Sequence, residues 1–196
     1  MPPETQTPGF DGRAEPVDPA RLISSWRPGC PVAVEDLRLL TLRHWGFDGV
    51  VHTGELVVHR DQAANLLTAM ERLFELRFPI ERMELVDAYG ADDARSMAAN
   101  NTSAFNCRRV ASSPGVWSEH TYGRAVDINP VQNPYLPRSG PVDPPAGAAY
   151  SDRTNARPGM ILPGGDVVKT FAAIGWEWGG NWSGTKDYQH FSSTGR

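Results

Sequence analysis

The most regular hydrophobic pattern in the chain runs through residues 61–77, DQAANLLTAMERLFELR. Ala63, Leu66, Leu67, Met70, Leu73, Phe74 and Arg77 recur on one face at helical spacing. Asp61 stands at the N-terminal cap and Pro79 lies just past the end, so the segment is expected to be a helix. Leu37, Leu39 and Leu40 in EDLRLLTLRH (35–44) suggest a shorter helix. Next, Val50, Val51, Leu56, Val57 and Val58 are punctuated by Gly49 and Gly54, which reads as strand–turn–strand. Alternation predicts strands at 81–89, 102–110 and 124–129, a helix at 165–175 stopping at Gly175, and a strand at the end of the chain. Helices and strands mix without βαβ regularity, so the expected class is α+β.

Proline divides this pattern. Of 17 prolines, six precede residue 30 and eight lie between Pro130 and Pro163. Proline lacks an N–H and fixes φ, which excludes regular helix and central sheet from both stretches. Residues 1–29 are expected to be an extended, poorly ordered arm, and 30–196 a single domain. Residues 130–163 are expected to be a long irregular loop, a kind of segment that is usually functional or mobile.

Composition narrows the class. A chain of 196 residues supports one good core, and 40% hydrophobic with 21% charged residues is ordinary for a soluble globular protein. No run approaches 18 apolar residues, so no transmembrane segment is expected. Nineteen basic against 23 acidic residues argues against a broad nucleic-acid surface. Only Lys169 and Lys186 are lysine; the other basic residues are arginine, which suits local carboxylate recognition. Cys30 and Cys107 suit one disulfide in an exported protein, with two separate buried thiols as the alternative. The first residues, MPPETQTPGFDGRAEP, have neither a basic nor an apolar region of a signal peptide, so an exported protein would have had its signal removed.

Two histidines stand in unusual contexts: Ser118-Glu119-His120-Thr121-Tyr122-Gly123-Arg124-Ala125-Val126-Asp127, and Asp187-Tyr188-Gln189-His190-Phe191. Two imidazoles and one carboxylate with an open fourth position form an arrangement for catalytic zinc, and a second carboxylate can serve as general base. Gly123 with the β-branched Val126 and Ile128 argues for loop then strand, with a turn at Gly123 returning His120 over Asp127. Asp187 and His190 are three apart and would point oppositely on an ideal strand, so a turn or bulge is required between them. His44, His52 and His59 read as structural or solvated. The absence of a Gly-x-Ser-x-Gly elbow argues against serine catalysis.

The pattern Ser-x-His-x-x-Gly-x-Ala-x-Asp, followed late in the chain by an acidic residue three before a His, resembles the M15 peptidase family. The end of the chain, Trp176-Glu177-Trp178-Gly179-Gly180-Asn181-Trp182 and Lys186-Asp187-Tyr188-Gln189-His190-Phe191, is similar to its D-alanyl-D-alanine carboxypeptidase-like, VanY-type branch. The resemblance implies a Hedgehog/DD-peptidase-like fold, with a small antiparallel sheet flanked by helices and a long irregular loop. It implies His120, Asp127 and His190 as Zn2+ ligands and Asp187 as general base. Several members have Glu at that last position, and Asp is one methylene shorter. Family members also use an arginine to polarise the scissile carbonyl; in the dipeptidases it follows Asp-Ala-Tyr. Here Asp87-Ala88-Tyr89 is followed by Gly90, so Arg108 becomes the candidate, with Arg95 and Arg109 behind it. Ser103, Asn106, Ser118, Tyr122 and Trp178 are expected substrate contacts, with Trp182 as a further cleft wall. The implied activity is a secreted, monomeric zinc peptidase acting on peptidoglycan stem peptides, most simply a D-alanyl-D-alanine carboxypeptidase. The alternatives are an L-Ala-D-Glu-type endopeptidase and a non-catalytic zinc-containing cell-wall binding module, a switch that the Hedgehog signalling domain illustrates. Loop 130–163 is expected to lie beside the zinc cleft and to encode substrate choice.

Overall fold

Three antiparallel strands, β1 (Gly12–Pro16), β2 (Leu37–Trp45) and β3 (Val51–His59), form a meander in the order β1-β2-β3. The computed structural model describes residues 8–110 and 113–196. β2 and β3 pair without interruption from Leu37↔His59 to Trp45↔Val51. The helix expected over 35–44 is therefore a strand. Its leucines do alternate, but both faces of the sheet are covered. Leu40, Leu42, Leu56 and Val58 face one core; Leu37, Leu39 and Val57 face another, with Val17, Leu22, Val32, Val34 and Phe105. Two-sided burial removes the polar stripe that would reveal a period of two. Gly49 lies in the β2–β3 turn, but Gly54 sits inside β3: a Cβ there would come 2.5 Å from Cβ of Met83.

Helix α1 (Ala63–Glu75) forms as expected and buries Leu66, Met70 and Leu73 against the sheet. Asp61 does not cap it. Gln62 holds the cap position, and Asp61 pairs instead with Arg124 and His59, both at 2.6 Å. The strand expected at 81–89 shrinks to β4 (Arg82–Met83), followed by a 3-10 turn at Val86–Tyr89. Helix α2 (Asp93–Ala98) leads to β5 (Asn101–Thr102), which pairs in parallel with β4. Of the strand expected at 102–110, only its ends are regular: β5, and β6 (Arg109–Val110), which pairs with β7 (Ser113–Trp117). Between them the backbone N–H groups of Phe105, Asn106 and Cys107 donate to Val57, His120 and Ser25, three separate parts of the chain.

The C-terminal half is built from very short strands. β8 (Ala125–Asp127) lies beside β12 (His190–Ser192), which in turn pairs with β10 (Glu177–Trp178). β9 (Tyr135–Leu136) pairs with β11 (Lys186–Asp187). Helix α3 (Asp166–Ala173) packs Phe171 against Phe191 at 4.1 Å between ring centroids. The whole is mixed α and β with small, mostly antiparallel sheets, in agreement with the α+β expectation.

The segment expected as a poorly ordered arm is, over residues 8–29, part of the domain; residues 1–7 of that expectation lie outside the described residues. β1 is an edge strand, the one sheet position that tolerates Pro16. Val17 and Leu22 are buried, and Asp87 Oδ1 accepts from the N–H groups of Ser24 and Ser25. Cys30 and Cys107 are joined in a disulfide.

The proline-rich 130–163 excursion is held by side chains rather than by regular structure. Asn133 Nδ2 donates to the carbonyls of Ile128, Asn129 and Gly159, and its Oδ1 accepts from the N–H of Ile161. Arg153 donates to the carbonyls of Gln132, Tyr150 and Ile161 and to Asn133 Oδ1. Its guanidinium carbon stands 4.5 Å from the Tyr188 ring centre. Burial lowers Arg153 to about 10, still charged near neutrality.

Candidate active site

The site assembles where β8 meets β12. His190 pairs with Asp127 in the ladder, which sets their side chains beside each other. Ser103 and Asp127 exchange backbone hydrogen bonds of 3.0 and 2.8 Å and anchor β8 from the other side. His120 comes from a 3-10 turn, Glu119–Tyr122, capped by Ser118 Oγ accepting from His120 N–H. Gly123 then adopts φ +64, and its neighbourhood is closed: a Cβ would meet the backbone N of His59 at 2.4 Å. This left-handed turn returns His120 over Asp127, as the sequence required. The break required between Asp187 and His190 is also present. The chain leaves β9 after Asp187 and joins β8 at His190, with the N–H of Ile128 donating to the Gln189 carbonyl.

The donor groups of three residues form a small triangle, with one oxygen of Asp127 toward each histidine. His120 Nε2 lies 3.1 Å from Asp127 Oδ2, His190 Nδ1 lies 3.0 Å from Asp127 Oδ1, and the two ring nitrogens are 3.2 Å apart. His120, Asp127 and His190 are all buried. Donors at about 2.0–2.2 Å in a tetrahedral zinc shell stand about 3.3 Å from one another, so the spacing fits. The outer ring nitrogens fit as well. His120 Nδ1 donates to the Ala104 carbonyl at 2.5 Å, and His190 Nε2 to the Arg196 carbonyl at 2.7 Å. Carbonyls holding the outer N–H groups turn a lone pair of each ring inward, the usual second support of a metal-binding histidine. Three inward acceptors need a shared cation or a proton. The charges confirm the tension. Burial opposes a charge on His190, but hydrogen bonding and attraction from Asp127 outweigh it and raise the imidazole to about 9. Burial likewise opposes ionisation of Asp127, yet the two imidazoles hold it well below the usual carboxylate range.

Asp187 stands beside this triangle. Burial, reinforced by the charge of Asp127, raises its carboxyl to about 7, against the pull of the two imidazoles and of the Gln189 amide. Its Oδ1 is buried with no hydrogen-bond partner among the described residues. A carboxyl poised near neutrality and open on one oxygen can both take and return a proton. All four groups line one cleft of about 590 Å³.

Arg108 lines the same cleft. Its Nη2 pairs with Asp93 Oδ2 at 2.9 Å, and its Nε has no partner among the described residues. Its backbone is locked between Thr121 Oγ1 and the N–H of Ser118, next to the disulfide at Cys107. Ser118 and Trp182 are also on the cleft wall, Trp182 5.5 Å from the His190 ring centre.

Other expected contacts fall elsewhere. Tyr122 faces a separate hollow with Pro31, His59 and Arg124, because the turn that delivers His120 points the next side chains away. Trp178 is 2% exposed and packs against Tyr188 and Phe191, with Nε1 donating to the Tyr188 carbonyl, so it is core and not a cleft wall. Ser103 acts through its backbone on Asp127. Asn106 is buried and donates to the Ala91 carbonyl. Both scaffold the site without lining it. Asp93, Met97, Tyr135, Asp143 and Gln189 line the cleft without having been singled out. Tyr135 and Asp143 come from the proline-rich loop, where the Asn133-Pro134-Tyr135 run was the available signal.

Residues 111–193 match the M15 peptidase family model described as D-alanyl-D-alanine carboxypeptidase. The matched segment carries His120, Asp127, Asp187 and His190, and the match supports the resemblance to M15 peptidases read from the two motifs. No curated protein matches the chain, and no solved structure does.

Proposed function

We propose that the chain is a zinc-dependent peptidase that hydrolyses peptidoglycan stem peptides as a D-alanyl-D-alanine carboxypeptidase, on a DD-peptidase-like fold. The observation that carries this is the buried His120–Asp127–His190 triangle with the free carboxyl oxygen of Asp187 in the same cleft. A purely structural zinc site would take a fourth protein ligand; here His120, Asp127 and His190, which would hold the ion, line an open cleft. When bound, zinc acidifies water toward neutrality and polarises a carbonyl.

The protein's own groups do the rest. Asp187 accepts a proton from the attacking water and returns it to the leaving amine, which its pKa near 7 suits. Arg108, oriented by Asp93, supplies positive charge toward the developing oxyanion. The carbonyls of Ala104 and Arg196 keep both imidazoles in the ligating tautomer. Substrate choice falls to Tyr135 and Asp143 of the 130–163 loop, with Trp182 opposite. A disulfide, and no described helix long and apolar enough to cross a membrane, are consistent with action outside the cytoplasm. The test is zinc analysis together with hydrolysis of purified peptidoglycan and of synthetic stem peptides. Stoichiometric zinc with release of terminal D-alanine is expected. Cleavage at L-Ala-D-Glu instead would reassign the bond, and zinc without hydrolysis would make the chain a binding module.

A further inference from the structure

Gln189 is 2% exposed, yet it is on the wall of the cleft. Its carbonyl Oε1 has no hydrogen-bond partner among the described residues. Its Nε2 meets the Sδ of Met97 at 3.5 Å, a weak acceptor. Methionine or leucine would fill this wall without the cost of an unpaired buried carbonyl, so the oxygen needs an explanation.

The backbone says where that oxygen works. Asp187 ends β11, the chain bends at Tyr188 and Gln189, and Asp187 and Gln189 both reach the cleft while Tyr188 between them turns toward Trp178 and Arg153. The main-chain carbonyl of Gln189 accepts from the N–H of Ile128, one residue after Asp127, which holds this residue against the site. Asp187 Oδ1 is likewise unpartnered among the described residues. The cleft therefore presents two acceptors from one short segment. A nitrogen with two hydrogens satisfies both, and in amide hydrolysis that nitrogen is the departing amine.

Resting on the peptidase function proposed above, we infer that Gln189 Oε1 accepts the N–H of the scissile amide and holds the leaving amine while Asp187 protonates it. The water oxygen bonds to the carbonyl carbon, the C–N bond breaks, and a water proton carried by Asp187 moves to the nitrogen. The nitrogen then bears its original hydrogen, on Gln189, and the new one. An ester has an oxygen where the amide has its N–H and gives Gln189 nothing to accept. Gln189 is thus a residue selecting amide over ester bonds.

The experiment compares Gln189→Met with wild type on a D-alanyl-D-alanine peptide and on the matched depsipeptide whose scissile N–H is an ester oxygen. Loss of one hydrogen bond is expected to lower kcat/KM on the amide by about tenfold, with the ester rate, zinc content and Tm unchanged. Gln189→Glu, which keeps an acceptor at the same reach, should retain the amide preference. An uncleavable analogue with –CH2–NH– at the scissile position should bind wild type more tightly than Gln189→Met, while its –CH2–O– counterpart binds both alike. Equal losses on amide and ester, or no loss on either, overturn the inference and leave the peptidase function standing. A wild type that cleaves neither substrate overturns the function, and the analogue pair then decides the role of Gln189 by itself.

Discussion

The N-terminal meander with its helix and the C-terminal region around the site are built on different principles. In the first, long strands and a 13-residue helix bury leucines and valines by regular alternation. In the second, strands of two or three residues cross, and polar side chains such as Asn129, Asn133 and Arg153 satisfy the backbone that no ladder reaches. Hydrophobic burial is non-directional and tolerates exchange of similar side chains; a hydrogen-bonded network is directional and sets positions to tenths of an ångström. A site whose donors must converge within about 3 Å draws on the second kind of construction. One hydrophobic cluster joins the two, with Leu40, Leu56 and Leu66 of the first packed together with Val126, Phe171 and Phe191 of the second.

The comparison can be broken in a definite order. Removing a ligand should do most: Asp127→Ala is expected to abolish stoichiometric zinc and hydrolysis together, read by metal analysis and peptide assay. It leaves two ring nitrogens 3.2 Å apart with no anionic partner. Next, Asp187→Ala should retain zinc and Tm but lower kcat by about 10²–10⁴-fold, the range of general acid–base assistance. Full activity in that variant would place the base elsewhere.

The complementary change belongs to the meander. Leu40, fully buried in the core beneath α1, should cost about 2–5 kcal/mol when changed to Ala. Denaturant unfolding reads this, and kcat per folded molecule should not move. A parallel fall in kcat would show that the two regions are not separable.

A smaller effect concerns pH. His190 in the metal-free protein holds its proton up to about 9, and zinc must displace it. Apparent zinc affinity should therefore rise as pH rises toward 9, by about tenfold per unit while one proton is released. For folding of the metal-free protein the sign is opposite. The His190 contribution is full below the ordinary histidine value near 6.5 and fades as pH passes 9. Isothermal titration with zinc and thermal unfolding, each across pH 6 to 9, separate the two. Smallest of all, Tyr122→Phe should leave kcat/KM unchanged, because its side chain faces the other hollow.

How far the sequence reached follows the same division. Helix α1 was legible because its apolar residues recur on one face, and the strand at Ala125–Asp127 because β-branched residues follow the turn at Gly123. β2 reads as a helix because Leu37, Leu39 and Leu40 place apolar residues on both faces at its start, which masks the alternation of Leu40, Thr41, Leu42 and Arg43. Of the arm expected over 1–29, residues 8–29 join the domain, because proline excludes a central strand but not the edge strand that β1 forms. Within the site, the convergence of His120, Asp127 and His190 was legible because side-chain chemistry and local spacing mark those residues. Trp178 and Tyr122 were not, because neither residue type nor position tells which way a short strand or a 3-10 turn aims a side chain.

By itself, then, the sequence determined the chemistry: two histidines, two aspartates, a glycine where the backbone must turn left-handed, and one pair of cysteines. These are properties of residue type and near-neighbour spacing, and they survive any fold that brings the motifs together. Only the tertiary structure decided that His120 and His190, 70 residues apart, meet at 3.2 Å with their outer nitrogens on backbone carbonyls. It also decided that Arg108 answers to Asp93 and that Gln189 keeps an unpaired oxygen in the cleft. Those depend on long-range pairing of β8 with β12 and of β9 with β11, whose strands are too short to carry a pattern of their own.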